Sequence, residues 1–199
     1  LTGVGISPVK ISGASWYSAA AATVGNLAMS RPVTVSDDSQ IGDKNGNYKD
    51  PAALTDGNTN TQVTGRWSTT NNIAFMIDLG ETQSVTKLVA RANQGSAKIT
   101  GYEVQVSHME VPGTAMDSPD WETVAKGEVK PEDGEKIYNW KTLQIVFEPV
   151  KARHIRFCVV GINTGWGGAF SLRQLEAYLS FTQMPEITLN GDNPMLIPA

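Results

Sequence analysis

Four runs carry a large apolar side chain at every second position, and this period of two is the strongest constraint on the fold. Successive side chains of a β-strand point to opposite faces, so this alternation predicts strands that bury one face. The runs are Ile73, Phe75, Ile77 and Leu79; Tyr102, Val104 and Val106; Leu143, Ile145 and Phe147; and Ile155, Phe157 and Val159. Clusters of Gly, Asn, Asp and Pro punctuate the rest of the chain, as turns require. The pattern therefore predicts an all-β fold, a sandwich or a barrel.

Charge and cysteine content narrow the class of partner. The 199 residues include 16 basic and 20 acidic side chains, a net charge of −4. Nucleic acids and anionic lipid surfaces both require clustered Lys or Arg, so we expect no nucleic acid and no membrane lipid as partner. The single cysteine, Cys158, excludes an intramolecular disulfide framework and is interpreted as a buried structural thiol.

Catalytic motifs are not found in the sequence. Only His108 and His154 could act as bases near neutral pH, and neither belongs to a nucleophile or metal motif. No segment nominates a pair of catalytic carboxylates. We therefore do not expect an enzyme.

Seven short motifs follow one another between residues 26 and 178. They are Asn26-Leu27-Ala28, Ala53-Leu54-Thr55-Asp56-Gly57-Asn58, Ile77-Asp78-Leu79-Gly80, Tyr102-Glu103-Val104-Gln105-Val106-Ser107, Asp120-Trp121, Arg153-His154-Ile155-Arg156-Phe157 and Leu175-Glu176-Ala177-Tyr178. In this order they resemble the discoidin superfamily, also called the coagulation factor 5/8 type C domain, and its carbohydrate-binding-module-like branch. The resemblance implies a discoidin-like jelly-roll β-sandwich.

The same resemblance divides the chain into three segments. We expect the discoidin-like domain at residues 25–180. Residues 1–24 are interpreted as an N-terminal extension or the end of a preceding domain. Residues 181–199 read as a linker and the start of a following immunoglobulin-like module. These flanks predict a multidomain parent whose neighbouring domains are partners.

The turn Asp56-Gly57-Asn58 is rich in oxygen atoms, and together with the family resemblance it leads us to expect a structural Ca²⁺ site. Gly57 allows the backbone to double back, so carbonyl and side-chain oxygens can converge, and Ca²⁺ prefers six to eight of them. The resemblance implies that the ligands are the Ala53 carbonyl, the Asp56 carboxylate, Asn58, Thr61, the Leu175 carbonyl and the Glu176 carboxylate. A plain hairpin turn with a surface acid stays open as the alternative. The residues inserted between Thr61 and Trp67 also leave Thr64 open as a ligand.

Residues of the turns and strand ends are the candidates for ligand binding, because a sandwich recognises its ligands through loops. Trp166 lies in a Gly-rich segment whose small residues cannot bury it, which suits stacking on a sugar ring. The resemblance adds Arg91 and Asn93, which follow a predicted strand, and Tyr48 is a further loop candidate. For each, a structural role is the alternative: a folded-back Trp, a surface ion pair or a loop anchor. Trp67, Trp121 and Arg156 are interpreted as structural.

These observations predict a non-catalytic carbohydrate-binding module of a larger secreted or cell-surface protein, extracellular and of bacterial type. The alternative is a protein-contacting or architectural spacer domain of a surface lipoprotein. Nothing in the sequence selects the sugar.

Overall fold

The strands of the computed structural model follow one another without a long helix. The structure describes residues 25–43, 45–65, 72–93, 99–129, 140–162 and 170–179. Seven strands lie within this part of the chain: β1 (Val33–Val35), β2 (Val63–Thr64), β3 (Ile73–Asn93), β4 (Ile99–Ser107), β5 (Glu122–Glu128), β6 (Trp140–Ile162) and β7 (Ser171–Tyr178). Two short 3₁₀ helices, Asp38–Gln40 and Pro51–Leu54, precede β2. None of the helices in these ranges has the length and apolar character needed to cross a membrane.

Two long strands, β3 and β6, join the two layers of the sandwich. The strand order is β2-β7-β3-β6-β4-β5, with β1 also on β3, and every pairing is antiparallel. The first part of β3 pairs with β1 and the end of β6. Its second part pairs with β7 and the start of β6. This change of partners gives two packed layers and confirms the predicted jelly-roll β-sandwich.

The change of layer in β3 occurs at an irregularity between Asp78 and Gln83. Gly80 has a φ of +86°, which strains any residue with a side chain. A Cβ atom there would lie 2.4 Å from the Arg31 guanidinium. Sequence reasoning treated the run at Ile73–Leu79 and the predicted strand that precedes Arg91 as separate strands. The structure places them in one continuous strand, and β6 likewise contains both of its runs.

The hydrophobic core lies between the two layers and contains the predicted inward faces. Phe75 and Phe157 are fully buried, and the Phe75 ring meets Phe170 edge to face at 6.0 Å. Cys158 is buried and unpaired, and burial raises the pKa of its thiol to about 12. A thiol with so high a pKa is inert near neutral pH, in agreement with the predicted structural role.

A polar network fastens the segment between β4 and β5 to the outer side of β6. Arg156 is fully buried and donates hydrogen bonds to Gln105 Oε1 (2.6 Å) and to the Ala115 (3.0 Å) and Met116 (2.9 Å) carbonyls. Its guanidinium lies 4.3 Å from the centre of the Trp121 ring. These contacts confirm the structural interpretation of Arg156 and Trp121.

His154 makes part of this attachment sensitive to pH. Its Nδ1 lies 3.1 Å from the Met109 carbonyl, which can only accept a hydrogen bond, and its Nε2 lies 3.6 Å from Asp78 Oδ1. Burial, with a smaller effect of the Arg153 charge, lowers the pKa of His154 below 6.5 even though Asp78 opposes the shift. The folded state therefore favours the neutral imidazole, while the unfolded chain takes up a proton below pH 6.5.

We expect the free energy of unfolding to fall as the pH decreases from 6.5 towards the lower pKa of His154. The slope contributed by one such group is at most about 1.4 kcal/mol per pH unit. Urea unfolding at a series of pH values measures it. The variant His154→Gln should lose this slope, whereas the control His108→Gln should keep it. An unchanged slope in His154→Gln would contradict the assignment.

Both flanking segments of the predicted domain organisation, 1–24 and 181–199, lie outside the described residues. The bounds 25–180 therefore stay a prediction.

Candidate functional site

Oxygen atoms of the predicted cation turn converge on the Thr61 hydroxyl. Thr61 Oγ1 lies 2.7 Å from the Asn58 carbonyl, 2.9 Å from Asp56 Oδ2 and 3.4 Å from the Ala53 carbonyl. The backbone N–H of Asn58 donates a hydrogen bond to Asp56 Oδ1 at 2.7 Å, and Gly57 adopts a φ of +76°. The sequence thus brings four predicted ligands to one point. Carboxylate, carbonyl and hydroxyl oxygens are the donor types that Ca²⁺ prefers, so the turn fits that ion.

The two remaining candidate ligands, Leu175 and Glu176, lie on β7 opposite Ala90 and Val89. The 3₁₀ helix that leads into the turn packs against β7, so the two halves of the predicted site are neighbours. Among the described residues, the hydrogen-bond partner of the Glu176 carboxylate is Tyr178 Oη.

Burial, followed by the hydrogen bond to Glu176 and its charge, raises the pKa of Tyr178 to about 12. The phenol therefore stays protonated and donates to the Glu176 carboxylate. Within the described ranges, no three His, Cys, Asp or Glu side chains form a group that could hold a metal ion. A cation at the turn would accordingly depend on carbonyl and hydroxyl oxygens as well as on Asp56.

A cleft of about 550 Å³ opens beside this turn and contains Tyr48. Asp56 and Thr61 line the same cleft. The Tyr48 side chain is 52% exposed, while its carbonyl accepts a hydrogen bond from the Thr64 amide (3.0 Å). Its φ of +56° is uncommon for a residue with a bulky side chain, and such strain is often found at functional sites. The structure thus places Tyr48 with the cation turn.

Arg91 and Asn93 lie at the end of β3 in the layer formed with β6 and β7. Arg91 is paired with Thr142 and Gln174, and Asn93 is paired with Trp140. Both neighbours of Arg91, Ala90 and Ala92, are buried in the core. By strand alternation Arg91 and Asn93 therefore share the outer face of this layer.

A β-bulge adds a second arginine to this face. Arg91 pairs with Gln174 and Ala92 with Leu172, so Arg173 is the extra residue in β7. Leu172 and Leu175 are both buried, which leaves Arg173 and Gln174 directed towards the outer face. The Arg173 guanidinium lies 4.0 Å from the centre of the Trp140 ring. We call Arg91, Asn93, Trp140 and Arg173 the strand-end cluster.

Sequence reasoning missed Trp140 and Arg173. Trp140 lacks the flanking Gly residues that selected Trp166, so that criterion did not find it. Arg173 gave no signal, because only the register of β3 and β7 reveals the bulge. Trp166 and Trp67 lie outside the described residues, and the role of Trp166 stays a prediction.

The strand-end cluster is located where several strands begin or end. In the described ranges β3 ends at Asn93, β6 begins at Trp140 and ends at Ile162, and β7 begins at Ser171. The segment 163–169, which contains Trp166, follows the end of β6 in the chain and precedes the start of β7. Loops joining such strand ends are the usual location of a binding site on a β-sandwich.

Comparison with known proteins supports the resemblance drawn from the motifs. The family model for the F5/8 type C domain matches residues 32–173, which is more than half of the chain. This match lies inside the predicted domain at 25–180. No curated protein matches the chain significantly.

Solved structures of similar fold include three sugar-binding modules. Chitosan-binding module 2 of a chitosanase/glucanase from Paenibacillus sp. IK-5, in complex with chitotriose, is 23% identical with a TM-score of 0.58, covering 77% of this chain and 100% of that one. Module 1 of the same enzyme is 20% identical with a TM-score of 0.54, covering 78% and 99%. CpGH89CBM32-5 from Clostridium perfringens, in complex with GalNAc-β-1,3-galactose, is 19% identical with a TM-score of 0.56, covering 78% and 100%. At these identities the likeness concerns the fold, and the residues of each site have to be argued from this chain.

Proposed function

The chain belongs to the F5/8 type C domain family, and we propose that it is a non-catalytic carbohydrate-binding module of a larger extracellular protein. The sugar would bind at the strand ends, against the strand-end cluster and Trp166, which the sequence places between β6 and β7. Its neighbouring domains in the parent protein would supply any catalytic activity. Secretion or display at a cell surface follows from the same proposal, since extracellular polysaccharides are the targets of such modules.

The observation that carries the proposal is the composition of the strand-end cluster. It combines an aromatic ring, two guanidinium groups and a buried amide at the end of a rigid sheet. An aromatic face packs against the apolar face of a pyranose ring, and fixed donors and acceptors hydrogen-bond to its hydroxyls. Rigid strands lower the entropy cost of holding these groups in place. The solved modules of similar fold whose complexes contain chitotriose or GalNAc-β-1,3-galactose add support.

We also propose that a structural Ca²⁺ ion binds at the Thr61 turn. The Ala53 and Asn58 carbonyls, the Asp56 carboxylate and Thr61 would hold it, with the Leu175 carbonyl and the Glu176 carboxylate from β7 as further ligands. The ion would supply no chemistry to a reaction. It would connect the region before β2 to the last strand, two parts of the chain that are far apart in sequence, and so disfavour the unfolded state.

A glycan-array screen of the chain in Ca²⁺ tests the carbohydrate proposal. We expect binding to a defined sugar class, and we expect the variants Trp166→Ala and Trp140→Ala to weaken it by about tenfold or more, because each removes a stacking surface. The control Met109→Ala truncates an exposed apolar residue in the segment between β4 and β5. It should bind like the wild type.

Thermal unfolding of each variant separates loss of binding from loss of fold. A folded protein that binds no glycan would contradict the proposed function and favour a protein-contacting or spacer domain instead. Binding that survives in both tryptophan variants would instead contradict the strand-end location.

A further inference from the structure

Two arginines of the strand-end cluster lie close together, and neither pairs with an acid within the described part of the chain. Burial lowers the pKa of Arg173, and the nearby charge of Arg91 lowers it further. Among the described residues neither arginine forms an ion pair with Asp or Glu. The acid on the same face of β7, Glu176, is the hydrogen-bond acceptor of Tyr178. This arrangement leaves a local excess of positive charge in a chain whose net charge is −4.

The Arg173 side chain is held over an aromatic ring, and one of its N–H donors lacks a partner among the described residues. Its guanidinium lies over the Trp140 ring, a cation–π contact that fixes the plane of the group. The buried Arg173 Nε has no hydrogen-bond partner within the described ranges. A buried donor without a partner is costly, so a native site of this kind calls for a ligand or a bound molecule. The bulge in β7 directs this arginine to the side of Arg91.

Two adjacent guanidinium groups suit a planar anion. The fork of N–H donors on an arginine matches the two oxygens of a carboxylate, and such charge-assisted pairs are stronger than neutral hydrogen bonds. Neutral sugar hydroxyls would not offset the repulsion between the two arginines. A carboxylate would offset this repulsion and would accept hydrogen bonds from the two guanidinium groups.

We propose that the strand-end cluster binds the carboxylate of an acidic saccharide, a uronic acid unit, between Arg91 and Arg173 with the sugar ring near Trp140. This inference rests on the proposed function and specifies its substrate class. It also predicts a specificity that differs from that of a chitosan-binding module. The ammonium groups of glucosamine would be repelled by the same two arginines.

Isothermal titration calorimetry of the full chain in Ca²⁺ tests the inference with matched ligands. The probes are a galacturonate trimer and a glucuronate-containing tetrasaccharide, each compared with its carboxyl-reduced counterpart, in which the carboxylate becomes a neutral alcohol. A glucosamine trimer and a sulfated galactose trimer complete the set. We expect reduction of the carboxyl group to raise Kd by about tenfold or more for at least one acidic probe. Its binding should weaken further with added salt, because salt screens charge attraction.

Charge-removing variants locate the interaction. Arg173→Gln and Arg91→Gln should each raise Kd for the acidic probe by about tenfold, and each should remove most of the difference in Kd between the acidic probe and its carboxyl-reduced counterpart. Lys151→Gln removes one positive charge from an exposed position on β6 and is the matched control. It should not change either Kd.

Each outcome decides the inference. Equal Kd values for acidic and carboxyl-reduced probes would overturn it and leave the proposed function standing, as would tighter binding of the glucosamine trimer. Tighter binding of the sulfated trimer would replace the carboxylate by a sulfate ester as the recognised group and so also overturn it. Acidic selectivity that persists in both arginine variants would place the site elsewhere. Absence of binding to every saccharide would remove the inference together with the proposed function.

Discussion

Replacing Arg156 by alanine is expected to lower the free energy of unfolding by about 3–4 kcal/mol. The side chain is fully buried and donates to Gln105 Oε1 and to the Ala115 and Met116 carbonyls. Its removal leaves three acceptors without their donor and opens a cavity beside Trp121. Urea unfolding followed by tryptophan fluorescence measures the change. The segment between β4 and β5 should also become sensitive to proteolysis, because its attachment to β6 is lost.

Arg153→Ala is the matched control for this prediction. Arg153 is partly exposed, and its guanidinium lies 3.4 Å from Asp78 Oδ1 and 3.6 Å from Glu110 Oε1. Exposed ion pairs of this kind contribute about 0–1 kcal/mol, so this variant should be close to the wild type. Similar losses in the two variants would show that the buried network does not have the role assigned to it.

Removal of Ca²⁺ is expected to lower the melting temperature by about 5–10 °C when the ion is otherwise present at about 100 times its dissociation constant. Binding at that ratio stabilises the folded state by about 2.7 kcal/mol, and each kcal/mol shifts the melting temperature of a domain of this size by about 2–4 °C. Thermal unfolding in Ca²⁺ and in a chelator measures the difference. Because Asp56 is the one carboxylate among the oxygens around Thr61, Asp56→Ala should melt at the same temperature in both conditions.

Two further variants sharpen the calcium test. Asp37→Ala removes an exposed carboxylate that accepts a hydrogen bond from the Ser39 amide at the start of a 3₁₀ helix. It should lower the stability only slightly, through loss of this cap, and should keep the full response to Ca²⁺. Glu176→Gln should reduce the response if the β7 carboxylate is a ligand. A wild-type melting temperature that does not respond to chelator would contradict the cation site.

Much of the architecture could be predicted from local sequence pattern. The period of two at Ile73–Leu79 and at Ile155–Val159 correctly identified strands and their inward faces, since it is a property of each strand by itself. It did not reveal that the opposite faces, which contain Met76 and Arg156, are buried as well. The pattern did not reveal that β3 and β6 each continue through a bend into the second layer. A bend depends on which partner strand is available, and that is a long-range property.

The candidate sites divide in the same way. The four oxygen ligands between Ala53 and Thr61 were named through the family resemblance, and they lie close together in space because they are close together in sequence. The strand-end cluster joins β3, β6 and β7, whose residues are distant along the chain. Its two members found by sequence, Arg91 and Asn93, came from the family resemblance, while Trp140 and Arg173 emerged from the register alone.

The sequence by itself determined the strand content, the oxygen-rich turn, the absence of a catalytic motif and the family of this protein, because each depends on residues in a short segment or on their order. Only the tertiary structure decided that Arg173 lies beside Arg91 and over Trp140. One extra residue in β7 redirects every following side chain by one position, and the pairing of two strands fixes where that residue is accommodated. The proximity of the two arginines, and the charge of the ligand that we propose for them, therefore follow from strand register.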